Sequence, residues 1–482
     1  MQLLRTSHLL FMALLLLGLA ACKTQELAPL QPNLNRLGLE QPLIETPGLE
    51  GKSLQPSDFF ADTLLLRLIE VALGQNQQLA MAALERDMLG LQFRQQKRNN
   101  RPQVSAQAGA GLTRFGRFTM DGVGNKDTNL SDALPPAFRI PDPVYRDFQL
   151  LPTFSWEIDL WGKYRNLRKR AEADFLRQSY TQQFLRNQLS SSVATLYYSV
   201  AAQNEKVSLL RQTIRNQEEA LQYVRQLKDA GQHNELAVKQ FEAIVFNVKT
   251  RLIEEERVRQ ELLLALNQVL GSSRVAYAPA AFQGDFSLES LPLSYSQSLQ
   301  ALYQRPDVLA AEQGLQLEQH QLAVLRAAFY PTLQLRGFLG LQSFDPTRLF
   351  QLPAGLAAQA FGMLHLPIFQ QGQLKAQLEI GKLKRQQALL HYEDRLLHAH
   401  TELLQTWNSF FAYQEALQAK GQEVEVLRQA TRYSRELFAV GYASYVEVIL
   451  ANLSALEAEI EAIELKKIRN HQYVSLFRAT GT

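Results

Sequence analysis

Two stretches of this 482-residue chain, from about Lys163 to Ala230 and from about Gln373 to Val440, contain no proline and leave room for little except helix. In the first, Leu185, Leu189, Val193, Leu196, Val200, Val207, Leu210, Ile214, Leu221 and Val224 are spaced by three, four or their sum, the period of one helix face. Roughly seventy residues at 1.5 Å each make a rod of about 100 Å, far more than a globular domain or a bilayer needs. The near-heptad spacing predicts coiled-coil packing, with Gln203 and Gln217 as polar positions in the seam.

The two stretches are copies of one pattern. An offset of 210 residues places Ser199, Ala202, Tyr223, Arg225, Leu227, Gly231 and Gly271 on Ser409, Ala412, Tyr433, Arg435, Leu437, Gly441 and Gly481. Self-similarity over that distance predicts a tandem duplication. The first repeat covers residues 61–271 and the second 296–482, with a linker over 272–295 that holds Pro279, Gly284 and Pro292. Within each repeat the order is helix, strand, loop, strand, long helix, turn, helix. The first helix spans about Ala61 to Asn99, and its counterpart about Ser296 to Ala328. Each ends before a proline, Pro102 or Pro331, which disfavours helix at the residue preceding it. Gly231 and Gly441 fall where a rod must reverse, and glycine's access to positive φ suits a C-terminal cap there.

Between the helices the period changes to two. Phe148, Leu150, Pro152, Phe154, Trp156, Ile158 and Leu160 alternate with Gln149, Thr153, Ser155, Glu157 and Asp159, Leu151 being the exception. Leu333, Leu335, Leu339 and Leu341 oppose Thr332, Gln334, Arg336 and Gln342. Leu356, Ala358, Ala360, Leu364, Leu366 and Ile368 oppose Gln359 and His365, and a weaker run holds Val104, Ala106, Ala108, Ala110 and Leu112. Each run can cross a bilayer, which takes about 9–11 residues of tilted strand. Four strands leave two open edges, and closed membrane barrels need about eight, so copies must associate. A dimer gives eight strands and a trimer twelve; periodicity does not choose between them. The loops at 116–146 and 345–355, rich in Gly, Pro and Asp, are expected outside the cell. Glu157, Asp159, Arg336 and His365, on the wet faces, are candidate lumen-lining residues. The competing arrangement is a soluble sandwich of two amphipathic hairpins packed face to face.

Arg5 and His8 precede an apolar run from Leu9 to Ala21, too short for a membrane-spanning helix and ending in Leu19-Ala20-Ala21-Cys22. This predicts an export signal over residues 1–21. The tetrapeptide also resembles a bacterial lipobox, in which Cys22 becomes the first mature residue and carries lipid. Several acyl chains there make a stable anchor where one is marginal. Residues 22–60, with Pro29, Pro32, Pro42, Pro47 and Pro56, read as an extended tether. Cys22 is the only cysteine, which excludes disulfides and cysteine-based zinc sites. With 50 Lys and Arg against 47 Asp and Glu, composition gives no argument for a nucleic-acid partner. Material for catalysis is thin. His391, His398 and His400 have no ligand framework around them, and there is neither a phosphate loop nor a nucleophile elbow. Tyr197, Tyr198, Trp407, Phe410 and Phe411 read as core. The expectation is a non-enzyme whose energy comes from a partner.

Taken together, these features closely resemble the TolC-like outer-membrane efflux factors, in particular their lipoprotein (OprM-type) branch, over essentially the whole chain. The resemblance rests on Leu19 to Cys22, on Trp156 to Lys163 at a strand-to-helix junction, on Arg305-Pro306-Asp307-Val308-Leu309-Ala310-Ala311-Glu312, and on Val440 to Ala451 at the second helix turn. It implies a mostly α fold with a membrane β-barrel portion. The assembly is a homotrimer whose twelve-stranded barrel, four strands per chain, is continued by a long α-helical coiled-coil barrel. The implied role is the exit duct of a tripartite efflux or secretion system, lipid-anchored among outer-membrane lipids and extending into the periplasm. Its implied partners are a periplasmic adaptor and an inner-membrane pump of RND, ABC or MFS type, with no nucleic acid and no cofactor beyond the covalent lipid on Cys22. The turns at Gly231 and Gly441 are where the adaptor is expected to dock. For the periplasmic gate, Glu447 matches an acidic position of the family and Val446 an apolar constriction, while Leu450 sits where a second acid is usual. Three Glu447 carboxylates near a threefold axis would repel one another and attract cations. The alternative without a pore is a lipoprotein coiled-coil spacer or an adaptor subunit. An adaptor, however, needs a compact β-rich domain beside its hairpin, rather than strands embedded in both halves of a duplication.

Overall fold

The computed structural model describes residues 30–32, 56–133, 135–136, 139–141, 144–272 and 302–480. The expected export signal, Cys22, most of the expected tether and linker, and the expected helix start at Ser296 lie outside the described residues. In chain order the helices longer than one turn are α1 (Thr63–Gln75), α2 (Gln77–Gln96), α3 (Met120–Asn129), α4 (Lys163–Asp229), α5 (Glu235–Val269), α6 (Pro306–Ala327), α7 (Gln373–Ala439) and α8 (Tyr445–Ala479); a single helical turn, Pro56–Phe59, precedes them, so the end of the expected extended tether is helical and its Phe59 and Phe60 are buried. The strands are β1 (Gln103–Thr113), β2 (Tyr145–Ile158), β3 (Thr332–Ser343) and β4 (Leu356–His365). No described helix is long and apolar enough to cross a membrane.

Helices α4 and α7 are 67 residues each, ending within one residue of the expected stops, and α5 and α8 are 35 each. The first expected helix is in fact two. It breaks at Asn76, whose side chain accepts from Leu79 N at 3.1 Å and donates to Val269 O at 3.1 Å, tying the break to the end of α5. The outer loop at 116–146 is not wholly irregular, since Thr119 caps α3 by accepting from Gly122 N. Strand β4 stops at His365, so Leu366 and Ile368 lie beyond it.

The chain forms two compact units, each built from segments distant in sequence. One comprises Leu89–Asp174 and Leu315–Ala388 and holds the sheet. The other comprises Gln31–Met88, Phe175–Gly314 and Leu389–Thr482, as far as these are described. In this helical unit an aromatic core joins Phe59, Phe60, Phe410, Tyr473 and Phe477, with Phe477 at 5.2 and 5.1 Å from Phe59 and Phe60 and the Tyr473 hydroxyl donating to Phe59 O at 2.7 Å. Tyr197, Tyr198, Trp407 and Phe411 pack in the same cluster, as expected of core. The polar seam position Gln203 is buried, and its amide donates to the main-chain and side-chain oxygens of Glu255 at 2.8 and 2.6 Å.

The Arg305-Pro306-Asp307 signature explains itself here. Pro306 opens α6, where its missing N–H costs nothing. Arg305, 3% exposed, binds Asp307 through two nitrogens at 3.0 Å, Glu402 at 2.9 Å and Ala479 O, at the end of α8, at 3.0 Å. Glu402 also accepts from Arg478. One guanidinium thus ties the start of α6 to α7 and to the C-terminal carbonyls of α8. Arg305→Ala is expected to cost about 3–5 kcal/mol, because it strands the buried Asp307 carboxylate, and to appear as a lower denaturant midpoint.

His471 on α8 lies 3.0 Å from Ser199 Oγ of α4. Burial, then the neighbouring Lys467, holds its pKa below the ordinary histidine value against weaker pulls from the Thr195 carbonyl and Glu464. The unfolded chain therefore takes up a proton that the folded chain refuses, so this contribution to stability is lost as pH falls below about 6.5. His471→Gln is expected to flatten that part of the stability profile in denaturant titrations at stepped pH.

Candidate functional site

Four strands pair antiparallel in the order β1-β2-β3-β4. Their register joins like with like. Val104, Ala106, Ala108 and Ala110 face Phe154, Pro152, Leu150 and Phe148. Leu150, Trp156 and Ile158 face Leu341, Leu335 and Leu333, and Leu341, Leu339 and Leu333 face Leu356, Ala358 and Leu364. Since paired residues share a face, one side of the whole sheet is apolar. That side is not covered by the described residues: Val104 is 75% exposed, Leu112 73% and Leu339 61%. The other side carries Gln103, Ser105, Gln107, Gln149, Thr153, Ser155, Glu157, Gln334, Arg336, Gln342 and Gln359, with Leu151, Phe338, Phe361 and Met363 as apolar exceptions.

Two features shape this wall. Pro152 cannot donate to the ladder, and near it a Cβ on Gly340 of β3 would lie 2.3 Å from Leu150 O, 2.9 Å from Leu151 Cα and 3.1 Å from Pro152 Cδ. Only glycine lets β2 and β3 approach so closely there. The outer edges of β1 and β4 are unpaired in the sheet, and because the two strands run in opposite directions, β4 of one copy can continue antiparallel onto β1 of another.

Three of the four expected lumen residues, Glu157, Arg336 and His365, sit in register on the polar face. Arg336 donates to Gln334 Oε1 at 2.8 Å, and His365 ends β4 opposite Thr332. Glu157 holds Lys163 Nζ at 2.9 Å and accepts from the Tyr164 hydroxyl at 3.2 Å; burial, then the Glu157 charge, pushes the Tyr164 phenol up to about 12. Asp159 lies past the end of β2, where its carboxylate accepts from Tyr164 N at 3.1 Å and Arg165 N at 3.0 Å. It caps α4 and fixes the strand-to-helix turn, a role readable from an Asp just before a helix start. Trp161 completes the junction by stacking on Tyr330 at 4.7 Å and donating to Pro331 O at 2.7 Å.

Within the helical unit the two expected turns have one construction. Gly231 and Gly441 have φ of +73° and +80°. Gly231 N donates to Lys228 O and Gln232 N to Leu227 O, while Gly441 N donates to Phe438 O and Tyr442 N to Leu437 O, the paired bonds of a Schellman stop. Asn234 and Ser444 then cap α5 and α8. The two tips pack together: His233 stacks on Phe438 at 5.2 Å and meets Tyr445 edge-on, over a core of Leu221, Val224, Val238 and Phe241. Glu447 has a role that the sequence reading did not include. It is the N3 residue of a capping box, accepting from Ser444 N at 2.6 Å while its own N–H donates to Ser444 Oγ. The Ser-x-x-Glu spacing was the available signal. Val446 and Leu450, one turn apart beside it, are 43% and 59% exposed.

The profile of the outer membrane efflux protein family matches residues 68–272 and 298–482. Among curated proteins, the probable outer membrane lipoprotein SilC of Salmonella typhimurium is 26% identical over 88% of this chain and 87% of its own length. The toluene efflux pump outer membrane protein TtgC of Pseudomonas putida is 25% identical over 88% and 84%. Among solved structures, the open state of the MtrE outer membrane channel of Neisseria gonorrhoeae superposes with a TM-score of 0.79 at 22% identity, over 95% of this chain and 98% of that one.

The close crossing at Gly340 makes a direct demand on the wall. Gly340→Val is expected to cost about 1–3 kcal/mol by overpacking against β2 main chain, measured as a lower thermal dissociation midpoint of the detergent-extracted protein.

Proposed function

The chain belongs to the outer membrane efflux protein family and is an outer-membrane channel of tripartite efflux; we propose that three identical copies join their sheets, β4 of one beside β1 of the next, into a twelve-stranded barrel. One observation carries this reading. The sheet exposes a continuous apolar face and two unpaired edges, which hydrocarbon tolerates only when the edges are closed. The two repeats, 61–271 and 296–482, supply two strands each. A second seam supports assembly: Met81, Leu84, Met88 and Leu91 on α2, spaced by three, four and three, are 56–64% exposed and suit a coiled-coil partner from a neighbouring copy.

In this assembly Glu157, Arg336 and His365 face the water path, Asp159 holds its periplasmic rim, and lipid on Cys22 adds an anchor. A periplasmic adaptor docks at the turns around Gly231 and Gly441, and an inner-membrane pump supplies the energy; RND, ABC and MFS pumps all fit a passive duct. Val446, Glu447 and Leu450 form the periplasmic gate, an apolar constriction beside a ring of carboxylates. A spacer without a pore has no use for an alternating face that matches in register across four strands.

Extraction as a heat-modifiable trimer that conducts in planar bilayers is the expected result; a monomer soluble without detergent and without conductance would overturn the reading. The gate has its own test, because the capping role of Glu447 can be separated from its charge. Glu447→Gln retains an acceptor for Ser444 N and is expected to keep stability while losing cation preference in single-channel recordings. Glu447→Ala is expected to lose the same preference and, in addition, about 0.5–2 kcal/mol of stability with the cap. Cation preference unchanged in both variants would remove Glu447 from the gate.

A further inference from the structure

The net charge of +3 conceals a segregation inside the sheet-bearing unit. Its helical segments, residues 89–101, 163–174, 315–331 and 373–388, hold 14 Lys and Arg against 4 Asp and Glu, whereas its strands and their connections, 102–162 and 332–372, hold 7 against 8. The excess is concentrated where the chain enters or leaves the sheet. Arg94, Arg98 and Arg101 precede β1, and Arg168, Lys169 and Arg170 follow β2 in the second turn of α4. All six are exposed, and none is ion-paired among the described residues. The opposite end of the sheet has no such excess: Arg114, Arg117, Lys126, Arg139 and Arg348 there stand beside Asp121, Asp127, Asp132 and Asp345.

Aromatic side chains mark the depth of this basic collar. Trp156 belongs to the apolar face of β2, and its indole N–H donates to Asn100 O at 3.0 Å, which places the Asn100–Arg101 turn on the side of the wall that meets hydrocarbon. Tyr330 and Trp161 stack at the same end. Indole and phenol rings at the end of an apolar band are the signature of the headgroup level. Beside the collar, burial and then the Lys169 charge lower the His320 pKa.

We infer that this collar is a docking surface for the anionic headgroups of phospholipids in the periplasm-facing leaflet, seating the barrel at a fixed depth. The inference rests on the barrel reading above, since that reading puts the apolar face in hydrocarbon. Guanidinium groups pair with phosphate in bidentate fashion, and clustered basic side chains beside a membrane surface attract anionic lipid. The collar is basic at one end of the sheet only, so it also resists insertion beyond that end.

The test uses the full-length, detergent-extracted trimer and its thermal dissociation midpoint after addition of phosphatidylglycerol or phosphatidylcholine. Phosphatidylglycerol is expected to raise the midpoint more than phosphatidylcholine does. That difference should vanish near 1 M salt, where the screening length is about 3 Å. It should fall by at least half when Arg94→Gln, Arg98→Gln and Arg101→Gln are combined, and likewise with Arg168→Gln, Lys169→Gln and Arg170→Gln. Equal responses to the two lipids, or a difference that survives high salt, would overturn the inference on the unaltered protein, whether or not the variants assemble. So would an unchanged lipid response in both variants with altered ion selectivity, which would place the collar in the water path. A conducting trimer indifferent to phosphatidylglycerol defeats this inference alone, whereas a non-conducting monomer defeats the barrel reading beneath it.

Discussion

Hydrogen-bond closure in hydrocarbon is the constraint from which the rest of this architecture follows. A strand edge carries unpaired N–H and C=O groups that water would satisfy and lipid cannot. Here the chain commits four strands to one sheet, matches their apolar residues across three registers, and leaves both outer edges unfilled. An even number of alternating strands lets a rotated copy continue the antiparallel pattern without exception. The demand for further copies is therefore written into the backbone, before any side chain at the interface is considered.

The helical unit answers a different problem, that of ending and reversing very long rods. Both reversals use the same device, a glycine at positive φ with paired bonds to the last carbonyls, followed three residues later by an Asn or Ser cap. At the far end of α8, the Arg305 network gathers a helix start, a helix end and two carboxylates around one buried guanidinium. Neither site is catalytic in form. Each sets where a rod begins or stops, which is what a conduit assembled from rods requires.

Much of this was legible in the residues, and what was not has physical reasons. The 67-residue helices were readable because no proline interrupts either stretch and apolar residues keep the helical period through the first, and the strands because alternation switches on abruptly after Pro102 and Pro331. The break at Asn76 was hidden, since apolar spacing continues through it and the reason for the break is a tertiary bond to Val269 O. Helix α3 was hidden because Gly122 and Gly124 argue against helix, and a local cap from Thr119 outweighs them. Asp159 and Glu447 illustrate a subtler limit. Carboxylates near a supposed water path read as lining or gate residues, although a carboxylate at a helix start also satisfies orphan N–H groups.

Under the proposed barrel and gate, the capping contacts of Asp159 and Glu447 bear on how selectivity can vary. A carboxylate that caps a helix cannot be replaced freely to tune the lumen, because removing it loosens the turn that positions it. Arg336 and His365, by contrast, anchor no helix end; Arg336 bonds its strand neighbour Gln334 two residues away. Charge at those positions can change without moving the backbone. The arrangement thus separates positions fixed by folding, Asp159 and Glu447, from positions open to adjustment on the polar wall.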